Sequence, residues 1–379
     1  MKNVLITGGA GFIGSNLSLR LLENGHVVTV LDNLHPQIHG NDPSITSPLY
    51  RQIKDKVRFI KGDVLNKGDW EKALKDQQVV VHFAAETGTG QSMYEIERYS
   101  QVNVIGTSIF LDMLANTKHT IEKVIIASSR AVYGEGKYWS PALQKEVFPS
   151  ARKEEDLLRG DFECKCPESG ITAEVRATDE NSRIQPNSIY GLSKYYQEQS
   201  VMITCRSLDI PCVALRFQNV YGPGQSLSNP YTGLLAVFST RIKQHKPVFI
   251  FEDGKESRDF IFIDDAVKAT QICIEKEQTG YQVFNAGTGI PTTVSQVAET
   301  LMKNYGITVE TQITGQFRKG DIRHNFADIS HIKEVTGFTP TVSFEQGIKQ
   351  FTDWVNEQEI QTDTYERSLE EMRQRGLMK

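Results

Sequence analysis

The chain has 379 residues, of which 39% are hydrophobic and 23% are charged. This balance is typical of a globular protein with a sizeable core, and the length allows one large α/β domain or two lobes. The net charge of −5 excludes a general attraction to nucleic acid or to an anionic membrane, so we expect neither as a partner.

The sequence also argues against a membrane span and a secreted disulfide framework. No run approaches the ~20 apolar residues that a membrane-spanning helix requires. The N-terminal run MKNVLITGGAGFIG meets glycines at once and lacks the features of a signal peptide. Five cysteines are a sparse, odd set, which suits a reducing compartment. We therefore expect a cytoplasmic protein.

The first half of the chain alternates short apolar runs with helical patterns. The runs rich in β-branched residues are NVLIT, HVVTVLD, KVRFIKGD, VVVHFAA and EKVIIASS. Between the first two, SNLSLRLLENG is typical of a helix that ends at Gly25. The alternation predicts an α/β fold with a Rossmann-type, doubly wound parallel sheet, and the continuous apolar runs predict a sheet covered on both faces.

The first predicted strand leads into a glycine-rich loop, TGGAGFIG, which opens the first helix. Its spacing, Gly8-x-x-Gly11-x-x-Gly14, allows a tight turn, a close approach of the backbone to a pyrophosphate, and close packing of helix on strand. The second strand ends in Asp32, where a carboxylate can hold ribose hydroxyls and repel a 2′-phosphate. The loop therefore favours NAD over NADP; a glycine turn without a nucleotide is the alternative.

The later chain predicts an insertion and a second lobe. Residues 136–187 are polar, charged and proline-containing, which indicates an insertion or a long ordered loop. The strand–helix pattern then resumes through residue 220. We predict an NAD-binding domain over 1–220, a smaller mixed C-terminal substrate-binding lobe over 221–356 with some return to the first domain, and a charged, solvated helix over 357–379.

A tyrosine and a lysine one helical turn apart follow the insertion. Tyr190 and Lys194, in YGLSK, share one face of a predicted helix. A nearby ammonium lowers the pKa of a phenol, so this tyrosine could serve as a general base. Ser129, at the end of a predicted strand, could donate a hydrogen bond to the substrate oxygen from which Tyr190 would take the proton. Taken alone, the Tyr-x-x-x-Lys spacing is more often a solvated helix face.

Several segments in this order resemble one family. TGGAGFIG, LDN, GDV, HFAA, SSRAVYG, YGLSK, LRFQNVYGPG, RDFIFIDD and FNAGTG are similar to the extended short-chain dehydrogenase/reductase family, and within it to the nucleotide-sugar epimerases and dehydratases. The resemblance implies catalytic Ser129, Tyr190 and Lys194, a tightly held NAD, a nucleoside diphosphate sugar as substrate, and a homodimer formed through a four-helix bundle. The cofactor-binding residues that it implies are Gly8, Gly11, Phe12, Ile13, Gly14, Asp32, Asn33, Asp63, Val64, Phe83, Ala84, Ala85, Tyr190 and Lys194.

The resemblance also implies residues for the substrate. Asn219 matches the family's substrate asparagine. Arg258, in RDFIFIDD, and Arg323, in KGDIRHNFAD, also fall in matched segments, where a guanidinium fork suits a diphosphate. A surface salt bridge is the alternative for either arginine. The loop ETGTGQSM faces the nicotinamide and the sugar in this family. The substrate-binding residues expected are therefore Thr87, Thr89, Gln91, Ser129, Asn219, Arg258 and Arg323.

The residues after Ser129 separate the possible reactions. In the 4,6-dehydratases of the family, an Asp-Glu pair follows the serine or threonine and performs elimination. Here Arg130 and Ala131 stand in those places. One interpretation of Arg130 is a charge on the helical or loop surface, and we assign it no catalytic role. A 4-epimerase needs neither acid, because hydride returns to the other face of a 4-keto sugar. The missing acid therefore favours epimerisation.

Four segments in and after the insertion are CKCPESG, VRATDENSRIQPNSIYGLSK, YGPGQSLSNPYTG and KGDIRHNFADI. Together they resemble the dTDP-L-rhamnose 4-epimerase branch of the family, which implies interconversion of dTDP-L-rhamnose and dTDP-6-deoxy-L-talose. Members often carry a Cys-Pro-x-Cys-Gly knuckle, but here Ser169 replaces the second cysteine. Cys164 and Cys166 are too few and too close for a four-ligand zinc site, so we predict no metal. Another nucleotide-sugar epimerase, a 4,6-dehydratase, a 4-keto reductase and a non-catalytic NAD-binding sensor remain as alternatives.

Overall fold

The computed structural model of the chain describes residues 1–227, 233–277, 279–359 and 365–379. Its strands are, in chain order, β1 (Asn3–Thr7), β2 (Val27–Asp32), β3 (Arg58–Lys61), β4 (Val79–His82), β5 (Lys123–Ser129), β6 (Tyr138–Ser140), β7 (Lys145–Val147), β8 (Glu174–Val175), β9 (Cys212–Phe217), β10 (Asn219–Tyr221), β11 (Val248–Ile250), β12 (Ser257–Phe262), β13 (Tyr281–Ala286), β14 (Pro291–Thr293), β15 (Thr311–Ile313) and β16 (His324–Asn325).

The α-helices of the described residues alternate with these strands. They are α1 (Phe12–Glu23), α2 (Pro36–His39), α3 (Pro43–Thr46), α4 (Pro48–Ile53), α5 (Lys67–Leu74), α6 (Thr89–Ser92), α7 (Ile96–Tyr99), α8 (Gly106–Asn116), α9 (Glu154–Leu158), α10 (Ile189–Ser207), α11 (Leu234–Lys243), α12 (Ile263–Glu275), α13 (Val294–Tyr305), α14 (Ser330–Thr336), α15 (Phe344–Asn356) and α16 (Tyr365–Gln374). A π-helical stretch covers Ser100–Ile105 and a 3₁₀ turn covers Arg130–Tyr133.

Seven parallel strands form the large sheet, in the order β13-β9-β5-β4-β1-β2-β3. The predicted Rossmann-type α/β fold is therefore confirmed. The strand order reverses between β1 and β4, and ligands of such sheets bind in the crevice beyond the carboxyl ends of the strands at this point. The end of β1 is also where the glycine loop begins.

Both faces of the large sheet are covered, as the apolar runs predict. Along β1, Val4 and Ile6 face one hydrophobic cluster and Leu5 faces another. Side chains alternate between the faces of a strand, so an all-apolar strand needs a core on each side. This packing holds the carboxyl ends of the strands as a rigid floor for a site.

The smaller sheets come mainly from the second half of the chain. Four strands, β10, β12, β14 and β16, form one mixed sheet, and β11 pairs with β15. From the same half, β13 joins the edge of the large sheet beside β9. The second half of the chain therefore contributes both small sheets of its own and an edge strand of the large sheet.

The residues of the predicted insertion form an ordered unit. β6, β7 and β8 make a three-stranded antiparallel sheet. Under it lies a small cluster that includes the buried side chains of Tyr138, Val147, Cys164 and Cys166. In the described part of the chain, no group of three or more His, Cys, Asp or Glu residues could hold a metal ion.

The C-terminal helix α16 differs from the solvated helix expected over 357–379. Leu369 and Met372 on the helix, and Met378 after it, are buried against Val237, Phe249 and Phe251 of the second lobe. The segment is amphipathic: its composition is highly charged, but one face is apolar and packs against the protein. Residues 360–364 of that prediction lie outside the described residues. No helix in the described ranges combines the length and apolar character needed to cross a bilayer.

Candidate active site

A cavity of about 1100 Å³ opens beyond the carboxyl ends of the parallel strands, between them and the second lobe. It brings together residues from segments far apart in the sequence. The predicted site residues that line it are Gly8, Gly11, Phe12, Ile13, Gly14, Asp32, Asn33, Val64, Phe83, Ala84, Ala85, Thr87, Thr89, Ser129, Tyr190, Lys194, Asn219 and Arg258. Asp63, Gln91 and Arg323 are not among the lining residues.

The glycine loop has the geometry of a pyrophosphate cradle. A Cβ on Gly8 would lie 2.8 Å from the Ala84 backbone nitrogen, and one on Gly14 would lie 2.5 Å from the Gly8 carbonyl oxygen. Helix α1 follows Gly11, and no side chain caps its first N–H groups. An uncapped helix N-terminus that faces a cavity is an anion site. These residues fit a dinucleotide.

Asp32 closes the other side of the cradle. Its carboxylate accepts hydrogen bonds from the backbone nitrogens of Ala10, at 3.0 Å, and Leu34, at 2.8 Å. Because an ionised carboxylate has about four acceptor positions, it retains capacity for ribose hydroxyls. Burial raises the pKa of Asp32, and the two backbone hydrogen bonds oppose that shift.

Two predicted site residues, Asp63 and Gln91, contact residues of the cavity wall without lining the cavity themselves. Asp63 accepts from Asn33 Nδ2 at 3.0 Å, so it orients a residue of the cavity wall. Gln91 is buried, donates to Glu95 and accepts from Gln37 at 3.2 Å. Neither side chain is among those lining the cavity, so in this structure both support residues of its wall.

Ser129, Tyr190 and Lys194 meet at one wall of the cavity. Ser188 caps α10 by accepting from the Gly191 nitrogen, which sets Tyr190 in the first helical turn. Burial raises the pKa of Tyr190, while a hydrogen bond with Ser129 and the charge of Arg130 oppose it. The expected lowering of this pKa is wrong for the chain by itself, because burial outweighs the opposing effects.

Lys194 lies at the end of a buried polar chain. Its Nζ donates to Gln197 Oε1 at 2.6 Å, and Gln197 Nε2 donates to Thr107 Oγ1 at 2.8 Å. Thr107 lies 3.0 Å from His82 Nε2, and His82 Nδ1 lies 2.7 Å from the Thr7 hydroxyl. Burial lowers the pKa of Lys194 to about 7 and that of His82 to about 3. This series of hydrogen-bonded side chains connects α10, which carries Tyr190, to Thr7 at the start of the glycine loop.

The structure corrects the assignment of the arginines. Arg323 is fully buried and pairs with Glu163 at 2.6 Å, Asp253 at 2.7 Å and Glu252 at 2.9 Å, so its charge is already compensated. Arg318, five residues earlier, lines the cavity instead. Its guanidinium lies 4.8 Å from the Phe251 ring, and its buried Nε has no hydrogen-bond partner among the described residues.

Arg130 is a second cavity arginine that sequence reasoning missed. It lines the cavity, and its Nε donates to Asn219 Oδ1 at 3.2 Å. Its interpretation as a surface charge is therefore wrong. The place of Arg130 in the sequence could have indicated a site residue. It directly follows Ser129 at the carboxyl end of a parallel strand, where such sheets bind ligands.

Two carboxylates near this wall, those of Glu86 and Glu135, are engaged elsewhere. Glu86 lines the cavity but forms an ion pair with Arg98 at 2.5 Å. Glu135 is buried, accepts from the Arg323 backbone nitrogen at 2.7 Å, and is not among the lining residues. Neither takes the place of an acid directly after Ser129.

The Rossmann-type sheet, the glycine cradle and the cavity define a class of dinucleotide-binding proteins. The model of the NAD dependent epimerase/dehydratase family matches residues 4–154 and 167–287. The chain therefore belongs to this family.

Curated relatives resemble almost the whole chain. The dTDP-L-rhamnose 4-epimerase of Burkholderia thailandensis is 37% identical over 93% of this chain and 95% of its own length. A putative UDP-glucose 4-epimerase of Methanocaldococcus jannaschii is 30% identical over 93% of this chain and 98% of its own.

Solved structures share the fold. UDP-glucose 4-epimerase of Thermotoga maritima, with UDP-glucose, has a TM-score of 0.74 and 29% identity over 93% of this chain and 98% of that one. UDP-glucuronic acid 4-epimerase of Bacillus cereus, in complex with UDP-glucuronic acid and NAD, has a TM-score of 0.75 and 26% identity over 93% and 99% of the two chains.

Proposed function

We propose that the chain is an NAD-dependent nucleotide-sugar 4-epimerase, which inverts C4 of the sugar through a 4-keto intermediate. One observation carries the proposal: a single cavity collects the glycine cradle, Ser129, Tyr190 and Lys194, while an arginine and an alanine follow Ser129. The epimerase names of several relatives support it.

Each residue has a role that its environment supports. Tyr190 removes the proton of the sugar C4 hydroxyl, and Ser129, which lines the same cavity, donates to the same oxygen. Lys194 binds the cofactor ribose and supplies positive charge below its pKa of about 7. The glycine cradle, Asp32 and Asn33 hold the dinucleotide. NAD, when bound, supplies the acceptance and return of a hydride.

We propose dTDP-L-rhamnose as the substrate, interconverted with dTDP-6-deoxy-L-talose. The 37% identity to an enzyme of that name supports this choice. Arg258 and Arg318 line the second-lobe side of the cavity, where guanidinium groups match a diphosphate.

We further propose a homodimer. Leu192, Tyr196 and Ile203 are exposed apolar residues of α10, spaced at four and seven residues so that they share a face. Ile105 is exposed at the start of α8, and Ser108 and Tyr196 lie within hydrogen-bond distance, at 2.7 Å. An apolar face over two neighbouring helices fits a bundle with a second copy. Five buried free cysteines also suit a cytoplasmic location.

The decisive experiment incubates the purified protein with dTDP-L-rhamnose, dTDP-glucose or UDP-glucose, without added cofactor, and follows the sugar ring protons by NMR. We expect inversion at C4 with unchanged mass. A product lighter by one water would mean a dehydratase instead. In a parallel assay with added NADH and a 4-keto nucleotide sugar, stoichiometric consumption of NADH would identify a reductase. No change in any sugar, with NAD bound, would favour the non-catalytic alternative.

A further inference from the structure

Arg130 occupies a position between two strand ends of the cavity. It follows β5 directly, and Gln218 and Asn219 follow the neighbouring β9, whose last residue, Phe217, is in register with Ser129. The hydrogen bond from Arg130 Nε takes the Oδ1 atom of Asn219. The amide nitrogen of Asn219 is thereby left as the donor for another group.

The guanidinium of Arg130 has donors to spare. It is half-buried, and its one hydrogen bond to a described residue comes from Nε, so both terminal amino groups lack such a partner. The neighbouring Gln218 is 4% exposed, lines the cavity, and has no hydrogen bond at either amide atom within the described residues. The unpaired amide of Gln218 favours a polar ligand in the cavity, because leaving a buried polar group unpaired is costly.

No carboxylate of the described residues forms an ion pair with Arg130, although Asp321 and Asp259 lie close enough to favour its charge. Burial lowers its pKa to about 9, chiefly by desolvation and then by the like charge of Arg258, which Asp321 and Asp259 oppose. Asp259 already accepts hydrogen bonds from the backbone nitrogens of Thr288, Gly289 and Ala327. The guanidinium therefore remains a cation at neutral pH and favours oxygen-rich ligands.

We propose that Arg130 is a substrate-binding residue that grips the sugar: its terminal amino groups donate to sugar oxygens, and its Nε orients Asn219 to donate to the same sugar. This inference rests on the proposed function. It extends that function by assigning the sugar end of the cavity to Arg130 and the diphosphate end to the second-lobe arginines Arg258 and Arg318.

Such a group suits a 4-epimerase in particular. The 4-keto sugar must present first one face and then the other to the same catalytic wall. A planar guanidinium offers several equivalent donors, so it can satisfy different oxygens in the two orientations, whereas a lysine ammonium acts as a single point charge. An acid at this position would serve elimination but could not donate when ionised.

The test measures binding rather than turnover. In a Tyr190→Phe background, calorimetry compares the affinities of dTDP-L-rhamnose and UDP-glucose with those of dTDP and UDP, for Arg130→Met, Arg130→Lys and the intact arginine. We expect Arg130→Met to weaken whichever nucleotide sugar the intact protein binds about 10- to 100-fold, as for the loss of charge-assisted hydrogen bonds. Affinity for the free nucleotide should stay unchanged, and Arg130→Lys should recover part of the loss.

Three results would overturn the inference. Equal weakening of nucleotide and nucleotide sugar would place Arg130 on the phosphates. Unchanged affinity for both would remove it from the ligand altogether. Failure of the protein with Arg130 intact to bind either nucleotide sugar would overturn the proposed function, and this inference with it. Arg159→Met removes an exposed arginine of the insertion and should change none of these affinities.

Discussion

Glu198 and Arg216 form a buried, bidentate ion pair that fastens the helix of Tyr190 to the large sheet. Arg216 donates to the two carboxylate oxygens at 2.6 and 2.9 Å, and both side chains are at most 4% exposed. Ser128, the neighbour of Ser129, donates to the same carboxylate at 2.6 Å. One carboxylate thus connects α10, β5 and β9, the three elements that converge on the catalytic wall.

We expect Glu198→Gln to lower the free energy of unfolding by about 3–5 kcal/mol, because it leaves the Arg216 guanidinium buried without a counter-charge. Urea denaturation measures the loss. The matched control is Asp353→Asn, which removes an exposed ion pair with Lys349 and should change the stability little. Equal effects of the two substitutions would contradict the role of the buried pair.

Tyr190→Phe tests the general base. Removal of the phenolic hydroxyl should lower kcat by about 10²–10⁴-fold, since no other group would take the proton of the sugar hydroxyl. NAD should remain bound, which the absorbance of the released cofactor after denaturation measures. Tyr195→Phe, on the same helix but outside the cavity lining, should retain full activity. Undiminished turnover in Tyr190→Phe would refute the assignment.

Gly191→Ala tests the contact that sets the first turn of α10. An added Cβ would lie 2.5 Å from the Ala131 carbonyl oxygen, so the turn carrying Tyr190 must shift from Ser129. We expect kcat to fall at least about tenfold, because small displacements of catalytic groups are costly. The control, Gly68→Ala in α5, meets only the Asn66 side-chain oxygen at 3.3 Å and should leave kcat unchanged.

Glu163→Gln tests the pH dependence of stability. A hydrogen bond from His324, opposed by burial and reinforced by Arg323, lowers the pKa of Glu163 to about 2. The ordinary value is about 4.3, so the unfolded chain takes up this proton first as the pH falls. The contribution of Glu163 to stability is therefore full above pH ~4.3 and lost as the pH falls towards about 2.

The stability difference between the wild-type chain and Glu163→Gln should accordingly shrink across that window. Chemical denaturation at several pH values measures it. Glu168→Gln, at a carboxylate that is 61% exposed and pairs with Lys145, serves as the control and should show a much smaller difference. A Glu163→Gln difference that is constant with pH would contradict the lowered pKa.

Charges on the exposed face of α10 should separate the proposed homodimer. In Leu192→Glu/Ile203→Lys, desolvation of two charges in an apolar interface should favour the monomer. Light scattering of the purified protein should then give half the wild-type mass. Ile171→Glu, an exposed apolar position of the insertion, should not change the mass. A monomeric wild-type protein would remove the proposal directly.

The sequence by itself determined the features that depend on neighbours along the chain. The strand and helix pattern, the glycine spacing and the Tyr190–Lys194 turn are set by local periodicity and by where glycine permits a turn. Parallel strands must then present their carboxyl ends together, which is why Ser129 could be predicted for this edge of the sheet. Asn219 was expected at the site only from the family resemblance.

Only the tertiary structure decided which charged and polar side chains are free. Arg318 stands only five residues before Arg323. Arg323 pairs with Glu163 and Glu252 and is neutralised, while Arg318 lines the cavity. Arg130 likewise gains its place through Asn219, a residue distant in sequence. Such pairings depend on burial and on long-range contacts, and neither can be read from spacing along the chain.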